Sequence, residues 1–164
     1  MIPNWENRPV TVAHLLNPAF CGEIIRIMVK AYKTETKKAL PFELTFLVLP
    51  IILHKQSRES LPSKTSKNFY EWLEENTMTK IHFVNKIKSL VPYTREAILF
   101  LIYHEAINIT DNGELDFIAY RKFSLNYLNN EEISSIYSKA QMFGKWLGKS
   151  GDTKTIYASI GIKP

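Results

Sequence analysis

Phe20, Ile24, Ile25, Met28 and Tyr32 recur at helical spacing behind Asn17-Pro18, and Glu23, Arg26, Lys30 and Lys33 take the opposite face. This predicts a helix from the Asn-Pro start to about residue 35, with one buried side and one polar side. Pro41 opens a second predicted helix, approximately 42 to 57, which contains the unbroken apolar run Phe46-Leu47-Val48-Leu49-Pro50-Ile51-Ile52-Leu53. Pro50 removes one backbone hydrogen bond and clashes with the carbonyl of Phe46, so a kink is expected there. A run of this density is hard for a small chain to bury, and the surplus points to a partner.

Arg58 to Lys67 is polar and carries Pro62, so it reads as a surface loop and the only plausible linker. Asn68 and Glu71 then have the spacing of a capping box before Trp72 and Leu73, which starts a short helix. Ile81, Val84, Ile87, Leu90 and Val91 continue at helical spacing until Pro92, which is expected to close that helix. A further helix, Thr94 to about Ala106, carries the block Ile98-Leu99-Phe100-Leu101-Ile102. Two alternating segments, Ile107 to Thr110 and Glu114 to Ile118, flank Asp111-Asn112-Gly113 and predict a β-hairpin. Three helices followed by a hairpin is the order of a winged helix, with a plain helical bundle plus hairpin as the alternative.

The last long helix is predicted from Asn129 or Asn130 to near Ser150-Gly151, with Ile133, Ile136, Tyr137, Ala140, Phe143 and Leu147 as its apolar stripe. Ala140, Gly144 and Gly148 stand four apart and leave a strip where another backbone can approach. The tail from Thr153 alternates like a strand at Ile156, Ala158 and Ile160, but Asp152 and Gly161 fit the two ends of a short helix, which is the reading preferred here. The fold class is therefore mainly α: a helical domain with a winged-helix-like unit of three helices plus a hairpin. At 164 residues and 45% hydrophobic content the chain fits a single domain, residues 1–164, with subregions 1–60, 66–122 and 129–164.

Chemistry is sparse. Cys21 is the single cysteine, so neither an internal disulfide nor a cysteine-rich metal site is available, and a reduced cytoplasm is the expected compartment. The first residues lack the basic, apolar and cleavage-site pattern of a signal peptide, and no unbroken apolar run approaches the roughly 20 residues of a membrane span. His14, His54, His82 and His104 have no metal-pair spacing, and the six glycines form no phosphate loop. No catalytic residue, metal or cofactor is expected. Cys21, near a helix start, is a formal nucleophile candidate, but its apolar neighbours argue for burial.

The formal charge of +5 is enough to favour acidic partners. Arg26, Lys30, Lys33, Lys37 and Lys38 concentrate it, and Arg121 and Lys122 follow the hairpin, so these seven are the nucleic-acid candidates. The predicted wing, however, carries Asp111, Glu114 and Asp116, a poor composition for meeting phosphate. Protein docking is the favoured use of the fold, with a winged-helix DNA-binding protein or transcriptional regulator as the alternative. Candidate interface residues are Tyr93 and Arg95 beside Pro92, Gly144, Trp146 and Gly148 on the glycine-lined helix, Tyr157, and Leu49, Pro50 and Ile51 in the apolar run, these last three belonging either to the core or to the principal interface.

Four stretches together resemble a known family: Asn17-Pro18-Ala19-Phe20-Cys21-Gly22-Glu23; Pro41-Phe42 leading to Phe46-Leu47-Val48-Leu49-Pro50-Ile51 and Leu53-His54-Lys55; Leu90-Val91-Pro92-Tyr93-Thr94-Arg95-Glu96; and Gly161-Ile162-Lys163-Pro164. The pattern is similar to the middle component of bacterial ABC-three-component systems, of which Lamassu-type defence operons look like members. The resemblance implies a non-catalytic adaptor that links a large ATPase of the SMC/Rad50 type to an effector, often a nuclease, in defence against phage or plasmids. DNA is a further expected partner through the complex, with direct contact by this subunit left open, and no membrane partner is expected.

Overall fold

A 3₁₀ turn, Trp5–Asn7, and a short helix α1, Val10–Leu15, lead to Asn17, whose Oδ1 accepts from the backbone N–H groups of Ala19 and Phe20 at 2.8 and 3.4 Å. With Pro18 in the first turn, this starts α2, Pro18–Thr36, where the Asn-Pro signal predicts it. The computed structural model describes residues 2–62, 67–119 and 130–162. α2 ends at Lys37 in the left-handed conformation, φ 62°.

The second predicted helix is instead three short pieces. A 3₁₀ segment, Phe42–Leu47, tightens into α3, Val48–Ile52, and the chain turns at His54 into α4, Lys55–Ser60. Pro50 falls within the first turn of α3, where a missing N–H costs least, so a change of helix type replaces the expected kink. Leu47 through Ile52 are all buried. The apolar run is core, and the expected surplus is absorbed by packing against α2 and the helix α6 described below. Arg58, assigned from sequence to a surface loop, is also buried: its guanidinium donates to the carbonyl of Ile52 at 2.7 Å and reaches Glu132 at 3.1 Å.

Asn68 and Glu71 form the predicted capping box at the start of α5, Phe69–Glu75. The next element differs from expectation. One helix, α6, runs from Thr77 to Tyr103 with Pro92 inside it. A proline in a helix interior costs about 3 kcal/mol, which is offset by tertiary packing of both halves, through Phe83 and Ile87 before it and Ala97, Ile98 and Leu101 after it. The carbonyl that Pro92 leaves unpaired belongs to Lys88, an exposed residue whose backbone water can serve. Two helices, not three, thus precede the hairpin, and the order expected of a winged helix is not met.

α6 ends in a Schellman turn: Ala106 N–H donates to Leu101 O at 2.8 Å, Glu105 N–H donates to Ile102 O at 3.0 Å, and Glu105 takes φ 52°. β1, Ile107–Ile109, then pairs antiparallel with β2, Leu115–Phe117, with Ile109 opposite Leu115. Gly113, at φ 77°, closes the connection by donating to Thr110 O, and Thr110 N–H donates to Glu114 O. On its other edge Leu115 exchanges two backbone hydrogen bonds, 2.9 and 2.8 Å, with Leu40.

α7, Glu131–Leu147, is capped by Asn130 and ends a few residues before the predicted Ser150-Gly151. The tail is the preferred short helix, α8, Thr153–Ile160, with Asp152 accepting from Thr155 N–H at 2.7 Å and Gly161 left-handed at its end. α2 lies between α6 and α7, and one core draws on all of these elements. By length and composition the stretch Val10–Thr36 could cross a membrane, a possibility that counting unbroken runs did not register. In the fold that stretch is interrupted at Asn17, and Ile24, Ile25, Met28 and Val29 are fully buried against the other helices. The architecture is mainly α with one small antiparallel hairpin.

Candidate interaction surface

Most residues proposed from sequence as interface anchors are structural. Leu49, Pro50 and Ile51 lie in the core. Trp146 is fully buried in an aromatic cluster with Phe69, Trp72 and Phe143, at ring separations of 5.6 to 6.1 Å, and its indole N–H donates to the carbonyl of Lys67. Tyr157 is buried too; its hydroxyl donates to Glu43 O at 2.6 Å, and burial pushes its pKa up to about 12. Gly144 and Gly148 do admit a close neighbour, but it is α2 of the same chain. A Cβ on Gly148 would meet Thr36 Cγ2 at 2.5 Å. Tyr93 is half-buried beneath the guanidinium of Arg8, and Arg95 alone of the set is exposed.

The basic side chains of α2 are also largely committed. Arg26 is buried, contrary to its assignment to the polar face, and pairs with Glu23 at 2.7 Å while stacking over Phe117 at 5.7 Å. Lys30 approaches the same ring at 5.2 Å, and Lys33 grips both oxygens of Asp116 at 2.6 and 2.8 Å. Phe117 and Asp116 belong to β2, so this edge of α2 holds the hairpin, and one of the three acidic residues that argued against a phosphate-binding wing is the partner of Lys33. Lys37 and Lys38 are exposed. Arg121 and Lys122 lie outside the described residues.

The candidate nucleophile has a structural position as well, and the histidines are accounted for in turn. Cys21 is fully buried, and burial pushes its thiol up to about 12, far from a reactive thiolate. His54 caps α4: its Nδ1 accepts from Ser57 N–H at 3.2 Å and lies 2.8 Å from Ser57 Oγ. His14, His82 and His104 are exposed, and His104 packs on the ring of Phe100 at 4.3 Å. Among the described residues no three His, Cys, Asp or Glu side chains gather to hold a metal ion.

Two features escaped the sequence reading. Arg8 forms a two-pronged ion pair with Glu96, at 2.9 and 2.6 Å, between the rings of Trp5 and Tyr93 and with a bond to Pro3 O, which pins the first residues onto α6. No local pattern announces a pair 88 positions apart. The second is the outer side of α6, where Leu99 is 67% and Tyr103 83% exposed. The spacing of Arg95, Leu99 and Tyr103, one turn each, was the signal for it.

The chain is mainly helical, many of its polar groups serve capping and ion pairing, and two of its exposed large apolar residues, Leu99 and Tyr103, stand a turn apart on the longest helix. Residues 5–164 match the family described as ABC-three component (ABC-3C) system Middle Component 3, and the chain belongs to that family. It is thus a middle component, acting with the other components of such a system. No curated protein and no solved structure was found to match it.

Proposed function

We propose that the chain is a non-catalytic adaptor in the cytoplasm that joins a large SMC/Rad50-like ABC ATPase to an effector nuclease, in a Lamassu-type system defending bacteria against phage or plasmids. The observation that carries this reading is the family match, which spans residues 5–164. The fate of the candidate chemistry supports it: Cys21 is sealed in the core and His54 is spent on a helix cap. A DNA-reading role draws less support, because Arg26 and Lys33 already face carboxylates within the chain.

The test is co-expression of the tagged chain with the other components of its system, followed by purification with and without nucleotide and duplex DNA. The reading expects a stoichiometric complex containing a coiled-coil ATPase. A chain that purifies alone from that mixture as a folded monomer would overturn it.

A further inference from the structure

We propose that the outer stripe of α6 docks an acidic amphipathic helix belonging to another component of the system, an inference that rests on the adaptor reading. At about 100° per residue, Lys88, Pro92, Arg95, Leu99 and Tyr103 fall in one sector of the helix and extend roughly 22 Å along it. Lys88, Arg95, Leu99 and Tyr103 are exposed, and Ile102 beside them is half-buried. α6 already buries Ala97, Ile98 and Leu101 inward, so this is a second apolar row on a helix whose core side is satisfied. Exposed apolar residues need no explanation singly, and Trp5, Val10, Leu15, Tyr70 and Ile109 are others; Leu99 and Tyr103 differ in being stacked a turn apart in line with two exposed cations.

Charge identifies the occupant. Among the described residues neither Lys88 nor Arg95 has a carboxylate partner, whereas Arg8, Arg26, Lys33, Arg58 and Lys149 each have one. Glu96, the acid bordering the stripe, is occupied on both oxygens by Arg8. The stripe therefore presents two unpaired cations at one end and two apolar side chains at the other. A helix with apolar residues one turn apart, and carboxylates about two turns apart to reach Lys88 and Arg95, complements it in both respects. A second copy meeting the stripe with its own stripe does not, since it would bring the same two cations to the contact.

The experiment uses the full chain co-expressed with the other components of its system. Two variants are compared with wild type, Leu99→Asp combined with Tyr103→Asp, and Lys88→Glu combined with Arg95→Glu; all four positions are exposed, and unchanged melting temperatures confirm folding. In parallel, a photo-crosslinking amino acid replaces Leu99. The proposal expects at least a tenfold loss of complex for each variant and a crosslink into a segment of another component rich in Asp and Glu. Wild-type complex formation by both variants would overturn it and leave the adaptor reading standing. Crosslinking into a second copy or a basic segment would overturn it too, as would Leu99-dependent sedimentation with phosphatidylserine vesicles while the complex stays intact. Failure of the wild-type chain to form any complex would overturn both readings.

Discussion

Gly144 on α7 lies so close to Met28 on α2 that a Cβ built on it would stand 2.4 Å from the Met28 carbonyl oxygen and 3.0 Å from the Ala31 Cβ. The helix can accept an alanine there by propensity, gaining about 1 kcal/mol over glycine. The backbone oxygen cannot give way without moving α2. Gly144→Ala is expected to destabilise the chain by about 1–3 kcal/mol despite the better propensity, read from the midpoint of urea unfolding. An unchanged or raised midpoint would show that α2 and α7 are not held this tightly.

Glu105 offers the opposite case. Its φ of 52° is a left-handed conformation that side chains disfavour, and the Schellman turn requires it. Glu105→Gly is expected to stabilise by about 0.5–1 kcal/mol, the relief of left-handed strain less the added freedom of the unfolded chain. Paired denaturation curves of the two proteins give the number directly.

Cys21 is sealed by α2 and its neighbours, with its thiol held up near 12. Under native conditions it should be unreactive towards a disulfide reagent such as dithionitrobenzoate, and should react at the rate of a free thiol once urea unfolds the chain. Rapid native modification would contradict the packing. Cys21→Ala is expected to leave complex formation intact, since the thiol is buried inside the chain.

His54 supplies a pH dependence whose sign follows from its cap. Burial, then repulsion by Lys86 and Arg58, lowers its pKa, and only the neutral ring can accept the Ser57 N–H. Its contribution is therefore complete above about 6.5, the ordinary imidazole value, and is lost as pH falls from there through the lowered folded value. Stability at pH 5.5 should be lower than at pH 7.5. His54→Asn, which keeps an acceptor at the cap without titrating, should lessen that difference; an identical pH profile in the variant would assign the effect elsewhere.

The elements that could be read from sequence are those whose signals are local. Asn17-Pro18, the Asn68–Glu71 box, Asn112-Gly113 and the Asp152–Gly161 pair each fix backbone geometry within a few residues, and each stands where expected. What was missed depends on contacts distant in sequence. Pro92 reads as a stop, yet α6 continues because packing before and after it fixes one axis. Arg26 reads as solvated, yet Glu23 and the ring of Phe117 let it lie buried. Conversely, Trp146 and Tyr157 read as partner anchors because an aromatic residue looks the same from sequence whether it fills a core or a contact. Leu99 sat inside a block read as densely apolar, with Tyr103 just beyond it, and the helix spacing that sets the two on one outward side was passed over.

The paired bonds between Leu40 and Leu115 tie the hairpin to the chain that leaves α2. β2 is gripped along both edges, by β1 and by the strap that leaves α2, so a pull on the tip at Asp111 to Gly113 loads those bonds in shear, together with the Lys33–Asp116 clasp. That load enters the end of α2, whose other side is locked against α7 at Gly144. The hairpin is thus anchored to the central helix by backbone bonds and an ion pair, and belongs to the helical body and not to a loop.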